Sequence, residues 1–286
     1  MSRIRWASLV AAALLAACDG PPRDASVAAA VEVPLVPYIG RLVTVDATIQ
    51  GEPVRLLFDT GGGETLISPA IAEKIGCTPS GRGAGLRATG ERIDYQYCPD
   101  VTIGIGGLPF DHPQVAVWDV QAVLPEGVPT VDGVLSLETF ARQPITLDLE
   151  RQRLTLETAG SLRQRTGSMN ELQARFATGS DGGELTVFVR ATAPAAGWFL
   201  IDSANLDVVR VADRFRIPQA RVDGTWEAQL KLEGIPGMTT TFRAADIIHD
   251  GMLSEEVIRQ WTLTFDFAGQ RVWASARTPD LQTARD

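Results

Sequence analysis

LVTVDATIQGEPVRLLFDTG, residues 42–61, and LTVFVRATAPAAGWFLIDSA, residues 185–204, are two writings of one element. They align without a gap at an offset of 143 positions. Each reads as an alternating apolar run, a turn (QGEP in the first, PAAG in the second), and an apolar run closed by an acid and a hydroxyl residue. Period-two alternation on both sides of a Gly/Pro turn is the signature of a β-hairpin. A second pair, DGVLSLETFARQPITLDLERQRLTL (132–156) and DGMLSEEVIRQWTLTFDFAGQRVWA (250–274), aligns at an offset of 118 with 9 of 25 positions identical. The chain therefore carries one β unit twice, each copy running hairpin, acid–hydroxyl turn, short helix, middle hairpins, Asp-Gly turn, short helix, final strand. The two offsets differ by 25 residues, so the first copy holds an insertion, and that insertion contains Gly81 to Cys98. The expected fold is all-β with short helices, in two similar β-barrel lobes with a ligand cleft between them.

Composition narrows the functions available. The 286 residues are 45% hydrophobic and 21% charged, a globular balance. The 27 Gly and 17 Pro fall largely in turn-like clusters, which suits a β-rich fold. A formal charge of −9 lacks the basic footprint of a nucleic-acid binder. His112 and His249 are the only histidines. That is too little material for a multi-His metal site or a Ser-His-Asp triad, so neither metal nor cofactor is expected.

The first residues read as an address. Arg3 and Arg5 precede the uncharged run Ala7–Ala17, which is shorter than the ~20 residues needed to span a bilayer. Residues 1–17 fit a secretory signal peptide. The run ends Leu15-Ala16-Ala17-Cys18, which resembles a bacterial lipobox. On that reading Cys18 carries a lipid and the membrane is a partner through it; on the plainer one, the signal is cleaved and Cys18 is incidental. Residues 18–37 form a Pro/Ala/polar tether, 38–160 the N-terminal lobe, 161–183 the interlobe linker and 184–280 the C-terminal lobe. The protein is expected in the cell envelope as an exported, periplasm-facing lipoprotein. If Cys18 is lipidated, Cys77 and Cys98 remain, and an oxidising compartment makes a disulfide between them the default over two buried thiols.

The chemistry lies where the copies repeat an acid. Asp59 follows Leu56-Leu57-Phe58 and precedes Thr60-Gly61; Asp202 follows Phe199-Leu200-Ile201 and precedes Ser203-Ala204. Across a pseudo-two-fold axis the two carboxyls would meet, and like charges that close share a proton. One ionised and one protonated carboxyl can activate a water and protonate a leaving group; the principle is best known from aspartic proteases.

At these residues the sequence resembles the retropepsin-like and pepsin-like aspartic proteases, in particular bacterial ones with both halves in one chain. The resemblance covers most of residues 40–275. LLFDTGGGETLIS matches the family's apolar-apolar-Asp-Thr-Gly pattern; FLIDSAN departs from it in Ala204, where the family has Gly. DGVLS and DGML resemble the family's DGILG element, with Ser136 and Ser254 where Gly is more familiar. The resemblance implies a catalytic dyad of Asp59 and Asp202, held by Thr60, Gly61, Ser203 and Ala204. It also implies a flap, best placed at Leu86–Ile93 with a tip at Ala88, Thr89 and Gly90. A Cys77–Cys98 bond would anchor the flap's base and leave its tip mobile; the alternative is an ordinary surface hairpin. Val222–Trp226 is a candidate vestigial counterpart in the second half. Glu64 is read as a solvated charge at a helix start, His112 as a surface turn residue and Gly104–Gly107 as a hairpin turn.

The function expected is therefore an exported, membrane-tethered aspartic endopeptidase, acting as a monomer on peptide or protein substrates. The alternative, prompted by Ala204, Ser136 and Ser254, is a catalytically inactive relative that holds peptide or envelope ligands in the cleft.

Overall fold

A computed structural model describes residues 29–179, 183–217 and 224–276. The expected signal segment, Cys18, most of the tether, and Val222 and Asp223 lie outside the described residues. In the first half the strands are β1 (Val31–Pro34), β2 (Val36–Pro37), β3 (Val43–Ile49), β4 (Glu52–Phe58), β5 (Leu66–Ile67), β6 (Ser80–Leu86), β7 (Arg92–Ile105), β8 (Leu108–Val117), β9 (Gly133–Leu135), β10 (Ile145–Asp148) and β11 (Arg153–Leu156). The second half contributes β12 (Asn170–Leu172), β13 (Ala174–Thr178), β14 (Leu185–Ala193), β15 (Gly197–Ile201) and β16 (Val209–Ala212). It continues with β17 (Thr225–Leu232), β18 (Met238–Ala245), β19 (Gly251–Leu253), β20 (Trp261–Asp266) and β21 (Arg271–Ala276). The helices are short: α1 (Pro69–Lys74), α2 (Ala159–Thr166) and α3 (Glu255–Ile258). No helix among the described residues is long and apolar enough to cross a membrane.

The duplication read in the sequence is a duplication of topology. One sheet runs β2-β3-β4-β9-β5-β8-β7-β6 and another runs β13-β14-β15-β19-β16-β18-β17. Strand for strand they match, down to the parallel pairs β4–β9 and β15–β19, and among the described residues β6 is the one member without a counterpart. The 25-residue excess of the first copy is thus accounted for by β6 and the extension of β7 that pairs with it. Both sheets curl on themselves, through β3–β7 in one and β14–β17 in the other.

A third sheet, β1-β11-β10-β20-β21-β12, takes three strands from each half. Its centre is the antiparallel pair β10–β20, in register Thr146↔Thr264. These two threonines occupy the same place in the repeated segment and their hydroxyls lie 2.8 Å apart. The local pseudo-two-fold axis passes between them. The turns that follow repeat as well: Gln152 and Gln270 both take the left-handed conformation, at φ 52° and 51°.

The repeated Asp-Gly pair has a packing cause. Asp132 Oδ2 accepts the backbone N–H of Arg55 at 2.7 Å, and Asp250 Oδ2 accepts that of Trp198 at 2.9 Å. The glycines after them leave no room for a side chain. A Cβ on Gly133 would stand 2.1 Å from the Leu66 carbonyl oxygen, and one on Gly251 would stand 2.7 Å from the Phe199 ring.

One apolar core runs through both halves and includes Phe58, Phe140, Phe199, Phe242 and Phe265. Alternation turns Leu57 and Leu200 to the opposite side of their strands, each into a smaller cluster. His112 departs from its expected place at the surface. The strand β8 runs through Asp111-His112-Pro113 without a turn, and its period buries His112 beside the inward Leu108 and Phe110, with Nδ1 3.3 Å from Glu138 Oε1. The Pro residues that suggested a turn face outward on that strand. Gly106 and Gly107, with φ of 58° and 81°, do form the β7–β8 turn.

Replacing Gly133 by Ala forces a strand shift and is expected to lower unfolding stability by about 2 kcal/mol. Gly107→Asn, at an open turn position, should cost less than about 1 kcal/mol. Urea unfolding of the two variants checks the contrast.

Candidate active site

β4 and β15 each lie between hydrogen-bonded neighbours and each ends in its acid. The Asp59 N–H donates to the Leu135 carbonyl at 3.0 Å, which carries the β4–β9 ladder into the turn. Behind the acids, the two turns grip one another. The Thr60 N–H donates to Ser203 Oγ at 3.0 Å, and the Ser203 N–H donates to Thr60 Oγ1 at 2.9 Å. The Thr60 hydroxyl then donates to the Ile201 carbonyl at 2.8 Å, and the Ser203 hydroxyl to the Phe58 carbonyl at 3.3 Å. All four bonds are buried, and exchanging the two halves maps the set onto itself. A hydroxyl both accepts and donates, so Thr and Ser fit these two positions where an apolar residue would leave four buried groups unpaired.

The carboxyls are held in the same paired manner. The Gly61 N–H donates to Asp59 Oδ1 at 2.8 Å, and the Ala204 N–H donates to Asp202 Oδ1 at 3.0 Å. Gly61 is required for closeness: a Cβ there would lie 2.6 Å from Asp202 Cγ. Ala204 is not among the residues with positive φ. Its methyl group packs on the first half's cluster of Leu42, Leu57, Val120, Val131 and Val134. The departure from Gly therefore keeps the N–H donor, needs no left-handed backbone and adds an apolar contact between the halves. Ser136, the other departure, donates to the Gly63 carbonyl at 3.3 Å and accepts the Glu138 N–H, capping the turn at Leu137–Phe140. Ser254 precedes α3 in the matching place.

Burial raises both carboxyls above their ordinary range. For Asp59 desolvation outweighs the N–H groups of Gly61 and Gly62, and pushes it up to about 6. For Asp202 desolvation comes first and the charge of Asp59 second, against the N–H groups of Ala204 and Asn205 and the nearby Arg210; it is pushed up to about 8. The two titrate as a pair. Near neutral pH the pair holds one proton between them.

Cys77 and Cys98 are joined in a disulfide, with Cα atoms 5.9 Å apart. The bond ties the segment after α1 to the middle of β7, below the β6–β7 hairpin. The hairpin tip, expected to be mobile, is docked: the Ile248 N–H donates to the Ala88 carbonyl at 3.0 Å. The Ala88 methyl group packs with Leu200, Ala212, Ile247 and Met252 of the second half. Gly90, at φ 82°, provides the left-handed residue of the tip, and Thr89 stands exposed between them. The tip is further closed by the Arg87 N–H to the Glu91 carbonyl and by their side-chain ion pair at 2.9 Å.

Glu64 differs from the expectation of a solvated charge. It is 8% exposed, and its carboxylate accepts the Tyr95 hydroxyl. Gly81, Gly83 and Gly85 alternate on β6 opposite Tyr95 and Tyr97 on β7, a sequence sign of a bare strand face but not of the Glu64 contact. A Cβ on Gly83 would stand 2.4 Å from the Tyr95 ring, so the bare side of β6 is the bed on which the two rings lie.

Residues 45–139 match a family of aspartyl proteases, which supports an aspartic protease-like family for this chain. No curated protein matches the sequence. Among solved structures, basic 7S globulin from soybean is similar, with a TM-score of 0.53 over 87% of this chain and 95% of that one, at 12% identity. At that identity the likeness shows a pepsin-like fold and nothing of activity.

The raised carboxyls make a prediction about stability. The unfolded chain releases these protons near 3.8 while the folded pair keeps them longer. Their contribution is thus full below that value and is lost as pH rises through about 6 and about 8. Over this window the dyad should lower stability by up to about 1.4 kcal/mol per pH unit for each retained proton. Asp202→Asn should remove most of that slope in urea unfolding followed from pH 4 to 8.

Proposed function

We propose that the protein is an aspartic endopeptidase whose two halves act as lobes around a substrate cleft, with Asp59 and Asp202 as the catalytic pair. The observation that carries this reading is the reciprocal hydrogen-bond set of Thr60 and Ser203, which holds the two acid-bearing turns together, with both carboxyls raised by burial. Asp59, the lower of the pair, takes a proton from a water between the carboxyls. Protonated Asp202 hydrogen-bonds the scissile carbonyl oxygen as the water attacks its carbon. The tetrahedral intermediate collapses as the leaving amine gains the proton, and the pair returns to one shared proton. The β6–β7 hairpin, reaching across to Ile248, serves as the flap that excludes water from this step.

Of the departures Ala204, Ser136 and Ser254 that prompt the reading as a silent binder, Ala204 keeps its N–H donor to Asp202 without a left-handed backbone and Ser136 caps its turn, which supports the active reading. The leader sequence with Cys18, and the Cys77–Cys98 disulfide, support an exported protein tethered to a membrane by lipid. A single chain that supplies both acids needs no partner copy, which supports a monomer.

Asp59→Asn and Asp202→Asn are each expected to lower peptide cleavage by at least ~1000-fold while the fold is kept. Ala204→Gly should stay within about threefold of the parent. A peptide library cleaved at several pH values and read by mass spectrometry tests all three. Cleavage that survives both Asn substitutions overturns the dyad. Radiolabelled fatty acid incorporated into the parent but not into Cys18→Ala tests the tether.

A further inference from the structure

Each half carries an acid five residues after its dyad aspartate, Glu64 after Asp59 and Asp207 after Asp202. The two have different partners. Asp207 lies 3.5 Å from Arg210 on β16 and 3.4 Å from Arg243 on β18, and these two arginines are register partners in neighbouring strands. That acid ties its loop to the sheet of its own half. Glu64 takes the hydroxyl of Tyr95 instead, on the part of β7 that pairs with β6. Among the described residues, that hairpin has no counterpart in the second half. The acid is common to both copies, and only the copy with a flap joins it to the flap.

The link to the dyad is short. The Glu64 N–H donates to the Gly62 carbonyl at 2.7 Å, closing the loop that bears Asp59. A Cβ on Gly62 would stand 3.1 Å from Asp59 Oδ2, so this loop is in contact with the catalytic carboxyl. The Gly63 carbonyl is fixed by the Leu185 N–H at 2.8 Å, from the second half. On the other side, Tyr95 packs edge-on against Tyr97, with ring centroids 5.5 Å apart, over the bare glycines of β6. A pull on the phenol is therefore a pull on the whole hairpin.

We propose that Glu64 is a positioning residue: through Tyr95 it fastens the β6–β7 hairpin to the Asp59 loop, so that the roof of the cleft and the catalytic turn keep one geometry. Burial and the Glu64 carboxylate both raise the Tyr95 phenol, which keeps it a hydrogen-bond donor across the physiological range. The bond is charge-assisted and its acceptor is buried, a setting that strengthens such bonds. The proposal rests on the peptidase reading for its kinetic consequence alone.

The test uses the full chain with Tyr95→Phe, which removes one oxygen, and Glu64→Gln, which keeps an acceptor without the charge. In hydrogen–deuterium exchange, Tyr95→Phe should speed exchange of residues 84–94 about tenfold and leave β10 and β20 unchanged. Glu64→Gln should give a smaller effect. The double variant should match Tyr95→Phe alone, because the bond is already gone. In peptide cleavage, Tyr95→Phe should raise KM about tenfold and change kcat less than threefold. Unchanged exchange in Tyr95→Phe, or a double variant equal to the product of the two single effects, overturns the proposal. So does a loss confined to kcat. If the parent chain cleaves no peptide, the peptidase reading fails by itself and the exchange measurements still decide the role of Glu64.

Discussion

Two carboxyl groups deep in a protein repel one another and lose their hydration, and both effects favour pushing them apart. The reciprocal bonds of Thr60 and Ser203 resist that push. Each hydroxyl satisfies a backbone N–H of the opposite turn and a backbone carbonyl of the opposite strand. Parting the turns would orphan four buried groups, at roughly 1–3 kcal/mol apiece. The electrostatic cost of the dyad is thus offset directly behind it, and the raised carboxyls are the part of that cost that remains.

The same pairing recurs away from the acids. Thr146 meets Thr264, Gln152 matches Gln270 in its left-handed turn, and Asp132 and Asp250 each receive a backbone N–H from the matching strand. These repeats lie along the junction of the halves or in the strands beside the dyad. Positions free to diverge are those whose work is local: Ala204 in place of Gly keeps the donor and fills a gap against Leu57 and Leu42. A substitution in a motif has to be judged by the atom that does the work, here a backbone N–H that any residue except Pro supplies.

The inserted hairpin breaks the symmetry. It is fastened at its base by the Cys77–Cys98 bond, at its waist by Tyr95 on Glu64, and at its tip by Ala88 on Ile248. Two of these attachments are within the first half and one reaches the second. The hairpin is thus built from one half and held by both, and the symmetric pair of acids sits in an asymmetric setting. Arg210 beside Asp202 favours that acid's ionised form and has no equivalent at Asp59 among the forces that set the pair.

Legibility followed locality and repetition. Two hairpins, an acid at the end of each apolar run, the 25-residue excess of the first copy and the pair of cysteines could be read along the chain, because each is a matter of period, spacing or count. The partner of Glu64 could not, since Tyr95 lies on a strand that reaches it only after the hairpin folds back; the alternate glycines of β6 marked a bare face without saying what covered it. His112 departs from its expected place because Asp-His-Pro has the chemistry of a turn, while the long β7–β8 ladder carries the segment through as strand. By itself the sequence determined that one β unit occurs twice and that each copy presents an acid, for these depend on the order of side chains alone. Only tertiary structure decided that the two acid-bearing turns lock back to back through Thr60 and Ser203 and that burial raises both carboxyls, because burial and charge coupling depend on which atoms come within a few ångströms once the chain has closed.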